Sequence, residues 1–211
     1  NPKLRFFLFF ILIYFISIFF NLKIEDFKIK YINEINQNIL LSAFLFVCSI
    51  FVATNGANLI DGFNGLLLLN TLLITLAFLI VSYDVNNFFV FEKSLFFLFS
   101  ILLLFFLNFP AAKIFMGDSG AYLCGAFIAM MSIELNSNSS ISPFFLATLN
   151  AYFFTEIIFS ILRKLYEKKN PFLPDNMHLH MILYKILNKK KSTLVSNFST
   201  SLIINLNFGI I

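Results

Sequence analysis

Charge is what this sequence has least of. Only 12% of its 211 residues are Asp, Glu, Lys or Arg, while 59% are hydrophobic. A water-soluble domain carries about twice that share of charge. So few ions cannot cover a globule of this size, which excludes an ordinary soluble domain and also a disordered chain. Glycine (7) and proline (5) are sparse, which excludes a collagen-like or linker-like polymer. The two cysteines, Cys48 and Cys124, lie within apolar runs, so neither a disulfide framework nor a zinc site is expected. A small-residue cleavage site does not follow the first apolar run, so that run is not read as a cleaved signal peptide. What is there instead is phenylalanine, 32 residues of it. The composition is that of a protein embedded in a bilayer.

Seven apolar stretches run roughly over 6–22, 39–54, 65–83, 94–108, 120–135, 143–162 and 193–211. They are continuously apolar and do not alternate, so helices are expected and a membrane barrel is not. The expected architecture is all-α: a polytopic membrane helical bundle of about seven spans forming a single transmembrane domain over 1–211. With Asn1 placed inside and sides alternating, only Lys23, Lys28, Lys30 and Lys93 fall outside. Every other Lys and Arg falls inside, as the positive-inside bias requires. The net charge of +4 then belongs to membrane-flanking loops, and no nucleic-acid partner is expected. The last stretch, with Asn205 and Asn207, is compatible with a re-entrant or shortened helix.

Three chemically dense segments fall on that same inner face. In the first, Asn55, Asn58, Asp61 and Asn64 recur every three residues, which on a helix puts them on nearly one side. Amides beside a carboxylate suit a hydroxylated ligand or a hard cation, and equally suit helix capping. In the second, Gly117-Asp118-Ser119-Gly120 precedes an apolar run, so Asp118 or Ser119 is expected to cap a helix whose amide end favours anions. A carboxylate there tolerates phosphate if a divalent cation lies between. Lys113 adds positive charge nearby. Phe115 offers either a face for a base or a side chain for core or lipid. In the third, basic residues precede Asp175-Asn-Met-His178-Leu-His180. Two histidines at i, i+2 share a face if extended and diverge if helical. They suit hydrogen bonding to phosphate or proton transfer, or sit in an ordinary interfacial loop. Glu156, inside an apolar stretch, is a functional candidate or a structural partner for nearby Arg163.

Taken together the three segments resemble the polyprenyl-phosphate N-acetylhexosamine-1-phosphate transferases (glycosyltransferase family 4). Asn55–Leu66 resembles that family's Asn-rich Asp-Gly loop. Asn108–Gly120 resembles its Asn-x-Pro-Ala…Phe-Met-Gly-Asp-Ser-Gly motif, and Asp175–His180 its histidine loop. Ile60 stands where the pentapeptide branch has Thr, which favours the GlcNAc-1-phosphate branch. The resemblance implies a Mg²⁺-dependent transfer from a UDP-N-acetylhexosamine to polyprenyl (undecaprenyl) phosphate. UMP leaves at the cytoplasmic face of the inner (plasma) membrane, and the product initiates cell-wall or lipopolysaccharide synthesis. It further implies Asp118 and Asn58 as metal ligands, and Asp118, His178 and His180 as catalytic candidates. Asn55, Asp61, Asn64, Asn108 and Phe115 become substrate-binding candidates, with Phe115 stacking on uracil. Partners are then the two substrates and the bilayer, with a homodimer left open. The sequence departs from the family at three places. It has no Asp-Asp pair, Asn64 replaces Asp, and Met181 replaces a third His. The start of the chain resembles the stretch that follows the missing pair, so upstream spans are expected in the parent protein. The alternatives are a transporter or a catalytically inactive relative.

Overall fold

A computed structural model of the chain describes residues 2–170 and 176–209. Among the described residues all regular structure is helical. The helices are α1 (Pro2–Phe19), α2 (Lys30–Asn36), α3 (Ile39–Ile60), α4 (Leu66–Asp84), α5 (Phe88–Asn108), α6 (Gly117–Ser139), α7 (Pro143–Leu149), α8 (Ala151–Tyr166), α9 (Leu179–Leu187) and α10 (Thr193–Phe208). Short polar residues start several of them. Asn38 accepts from the amides of Leu40 and Leu41, and Asn87 from that of Val90. Both satisfy donors that a helix start leaves orphaned.

The all-α expectation holds, but about seven spans do not emerge. Among the described residues three helices are long and apolar enough to cross a bilayer: α3, α4 and α5. A fourth arises only if α7 and α8 form one span, bent by 80° at their junction. The physical reasons differ for each remaining stretch. In α1 the apolar helix found among the described residues is Phe7–Phe19, shorter than a span. Helix α6 is 23 residues long, but Gly, Ser, Asn and Glu interrupt its apolar run at both ends. Helix α10 has 16 residues, about 24 Å, against a hydrocarbon core of about 30 Å. Its Ser196, Thr200, Ser201 and Asn205 are buried against protein.

Helix α3 lies at the centre and packs on α6, α8 and α1, while α4 pairs with α5 and receives α10. The α3–α6 approach is set by one missing side chain. A Cβ on Gly125 would stand 2.5 Å from both the Ala53 carbonyl oxygen and Thr54 Cα. Small residues permit such backbone contact, which is how apolar helices gain packing energy without a hydrophobic driving force between them. Outward, α5 exposes Phe96, Phe99 and Phe106, as a lipid-facing helix would.

At the end of the bundle away from the Asp118 terminus, Asn136 is buried. Its Oδ1 accepts from the Glu25 amide at 2.9 Å, and its Nδ2 donates to the carbonyls of Asp26 and Ile141. One amide thus clips the segment after α1 to the end of α6. We predict that Gly125→Ala, by forcing α6 off α3, lowers stability by about 1–3 kcal/mol. Thermal unfolding in detergent, compared with wild type, measures it.

Candidate active site

The first polar segment does not stay helical. Helix α3 ends at Ile60, and Asp61 is its C-cap (φ −74°, ψ 41°), its amide reaching the Asn58 carbonyl at 3.4 Å. The four-residue stripe expected on one helical side is therefore split. Asn55 and Asn58 belong to the last turns of α3, whereas Asp61 and Asn64 belong to the turn that follows. Asn55 bonds back along its own helix, Nδ2 to the Phe51 carbonyl at 2.7 Å.

The turn is fastened from two sides. The Asn64 amide donates to Asn197 Oδ1 at 3.0 Å, and Ser201 Oγ donates to the Asn64 carbonyl at 2.8 Å, both from α10. Asn64 Nδ2 reaches the Pro110 carbonyl at 2.9 Å. Gly65 then starts α4 at φ +73°, a left-handed conformation suited to glycine. Its amide donates to Asn108 Oδ1 at 2.6 Å, and Asn108 Nδ2 donates to the Ile114 carbonyl at 2.8 Å. Buried Asn108 therefore welds the first segment to the second, and its whole side-chain amide is engaged by backbone.

In the second segment Lys113 and Phe115 are exposed, Phe115 by 75%. Helix α6 begins at Gly117 behind an N-cap of Met116 that makes no side-chain cap bond. Neither Asp118 nor Ser119 is the cap. Asp118 occupies the first turn, exposed, where a carboxylate suits the positive end of the helix dipole. Asp61 feels the Asp118 charge. Burial first, and the Asp118 charge second, push the Asp61 carboxyl from 3.8 up to about 6.

The third segment begins outside the described residues: 171–175, including Pro174 and Asp175, are not among them. His178 is the N-cap of α9 with extended backbone (φ −73°, ψ 152°), and His180 lies one residue into the helix. That extended step brings the rings onto one side, stacked 5.5 Å apart and 5° from parallel. Both are buried against the carboxylate of Glu156. His178 Nδ1 lies 3.1 Å from Oε2, and His180 Nδ1 lies 3.1 Å from Oε1. Tyr152 Oη donates to the same Oε1 at 3.0 Å. Of the two options for Glu156, the structure thus shows contact with the histidines, while Arg163 reaches Glu167 at 3.8 Å. A Cβ on Gly62 would come 3.2 Å from His180 Nε2, and Phe63 meets the His180 ring edge-on. The histidine loop therefore packs against the first segment.

Sequence reasoning missed Tyr152, Asn197 and Ser201. The spacing held a signal for each. Tyr152 and Glu156 are i, i+4 partners, as are Asn197 and Ser201.

Mg²⁺ needs only one or two protein carboxylates when phosphate oxygens and water complete its shell. No group of three or more His, Cys, Asp or Glu fit to hold a metal occurs among the described residues. Asp118 and Asp61, which feels the Asp118 charge, would meet that smaller requirement.

The profile of glycosyl transferase family 4 matches residues 1–136. The undecaprenyl-phosphate alpha-N-acetylglucosaminyl 1-phosphate transferase of Thermotoga maritima is 34% identical over 157 residues, 72% of this chain and 46% of that protein. The phospho-N-acetylmuramoyl-pentapeptide-transferase of Dictyoglomus turgidum is 32% identical over 189 residues, 87% of this chain and 58% of that protein. The chain spans about half the length of the curated relatives it matches. No solved structure gives a significant match.

The raised Asp61 carboxyl has a signed consequence. Between pH 3.8 and about 6 the folded chain holds a proton that the unfolded chain releases, so stability falls as pH rises through that window and stays lower above it. We expect Asp61→Asn to remove this decline and to raise the melting temperature at pH 7. We expect Asp118→Asn to bring the Asp61 midpoint down, read from its ¹³C carboxyl shift.

Proposed function

The chain belongs to glycosyl transferase family 4, and from that premise we propose that it transfers an N-acetylhexosamine-1-phosphate from a UDP-sugar to polyprenyl phosphate. UMP is released, the active face is cytoplasmic, and the lipid-linked product initiates a cell-envelope polysaccharide in the plasma membrane. The observation that carries this reading is the convergence of all three polar segments at one end of an apolar bundle. Asn108 joins the first to the second, and Gly62 lies against His180 of the third. A lipid acceptor and a soluble anionic donor can only meet at such an interface.

In this reading Asp118 holds Mg²⁺, with Asn58 and the neighbouring Asp61 as further oxygen donors. Mg²⁺, when bound, neutralises the diphosphate and eases departure of the leaving phosphate. Phe115, already exposed, stacks on uracil. Asp61 and Asn64 line the nucleoside pocket together with Asn55. Asn108 acts by fixing the Gly65 turn and the Ile114 backbone to each other. His178 and His180 face phosphate or sugar. The transporter alternative rests on an ionisable residue within the spans, and Glu156, the candidate for it, is engaged by the histidine pair.

The full-length protein in detergent, given polyprenyl phosphate, Mg²⁺ and a panel of UDP-N-acetyl sugars, should release UMP with at least one of them. Silence across the whole panel would sink the transferase reading. Asp118→Asn should abolish release, because a neutral amide binds Mg²⁺ poorly beside a diphosphate. Full activity in that variant removes Asp118 from the metal site. Phe115→Ala should raise KM for the UDP-sugar about tenfold, the scale of one lost base-stacking contact, with kcat nearly unchanged.

A further inference from the structure

We propose that Glu156 is the positioning residue of the histidine pair: it fixes both imidazoles with hydrogen on Nδ1 and turns both Nε2 edges away from α8. This rests on the reading above only in assigning the histidines a place beside substrate; the geometry stands without it. An ionised carboxylate can only accept hydrogen bonds. Its two oxygens each stand 3.1 Å from one Nδ1, so both Nδ1 atoms carry hydrogen. Free imidazole has no such constraint, and the partner on one ring nitrogen decides the state of the other.

The near-parallel rings then present their Nε2 atoms side by side on the edge away from Glu156. For His180 that edge points at the first polar segment, next to Gly62. His180 is fully buried, and its Nε2 has no hydrogen-bond partner in the structure. A buried polar nitrogen without a partner is costly and is the kind of group that a ligand satisfies. The phenol of Tyr152 braces the arrangement. It donates to Glu156 Oε1 and lies 3.1 Å from His180 Nδ1, and it does so for this one ring. Helix α8 thus supplies an acceptor with one oxygen for each histidine and a hydroxyl that distinguishes them. With hydrogen on Nδ1, the Nε2 of a neutral ring can only accept, so the ligand group that faces it is a donor, such as a sugar hydroxyl.

The test exploits a property of the sequence: the chain has only two histidines. Full-length protein labelled with ¹⁵N-histidine therefore gives just two imidazole spin systems from this chain, and their nitrogen shifts and couplings report which nitrogen holds hydrogen. In wild type both rings should be protonated at Nδ1. In Glu156→Gln, the amide keeps one acceptor and gains one donor, so one ring should stay as it was and the other should change to the Nε2–H form. Tyr152→Phe should perturb the His180 signals and leave those of His178 in place. In the same preparations Glu156→Gln should lower kcat for UMP release by on the order of tenfold to a hundredfold, with KM for the UDP-sugar little changed. Histidines lacking hydrogen on Nδ1 in wild type, or tautomers unaltered in Glu156→Gln, overturn the proposal. So does a Glu156→Gln enzyme with wild-type kcat. If the tautomers behave as stated while wild type itself releases no UMP, the positioning geometry is upheld and the transferase reading is what fails.

Discussion

The close approach of α3 to α6 is the constraint on which the rest of the site depends. The two backbones meet where Gly125 faces Ala53 and Thr54. Ala53 lies eight residues before Asp61, and Gly125 seven residues after Asp118, so both carboxylates stand about 10–12 Å from the crossing, measured along their helices. The helices run in opposite senses there, which puts the end of one beside the start of the other. That register explains why a residue capping α3 feels the charge of one in the first turn of α6. A single methyl group at the crossing shifts the register that makes two distant sequence segments into neighbours.

Around this pair the structure sorts polar residues by depth and by task. Asn64, Asn108, Asn197 and Ser201 spend their hydrogen bonds on backbone, so the turn between α3 and α4 is held by side chains from two other parts of the chain, the end of α5 and α10. Phe115 and Asp118, by contrast, face outward. The histidines are buried, and His180 keeps its Nε2 edge without a hydrogen-bond partner. Asparagine serves as mortar here, and the groups with room for a ligand are an aromatic ring, carboxylates and imidazole.

Much of this was legible in the residues, and the misses have physical causes. Composition led to a helical bundle in a bilayer, and the three polar segments stood out by their density against an apolar background. The family followed from their order. The number of spans did not, because apolar content alone cannot tell a helix that meets lipid from one that meets protein. Helix α10 is apolar enough to look like a span, but its Ser201 and Asn205 are aimed at the turn of Asn64–Leu66. The three-residue spacing of Asn55, Asn58, Asp61 and Asn64 suggested one continuous face, yet α3 ends at Ile60 inside it and Gly65 starts the next helix. Glu156 was noticed as a carboxylate in an apolar run. Its histidine partners lay more than twenty residues away in sequence, where no local spacing links them to it.

Helix α6 is held at both extremities. Its first turn abuts the fastened loops, and its last turn is clipped by Asn136 to the chain between α1 and α2. From Asp118 to Asn136 is about 27 Å of unbroken rod. A rod pinned at two levels cannot ride up or down when the surrounding lipid thins or thickens. The acidic group at its tip therefore keeps a constant height against the flanking helices, set by the protein and not by what surrounds it.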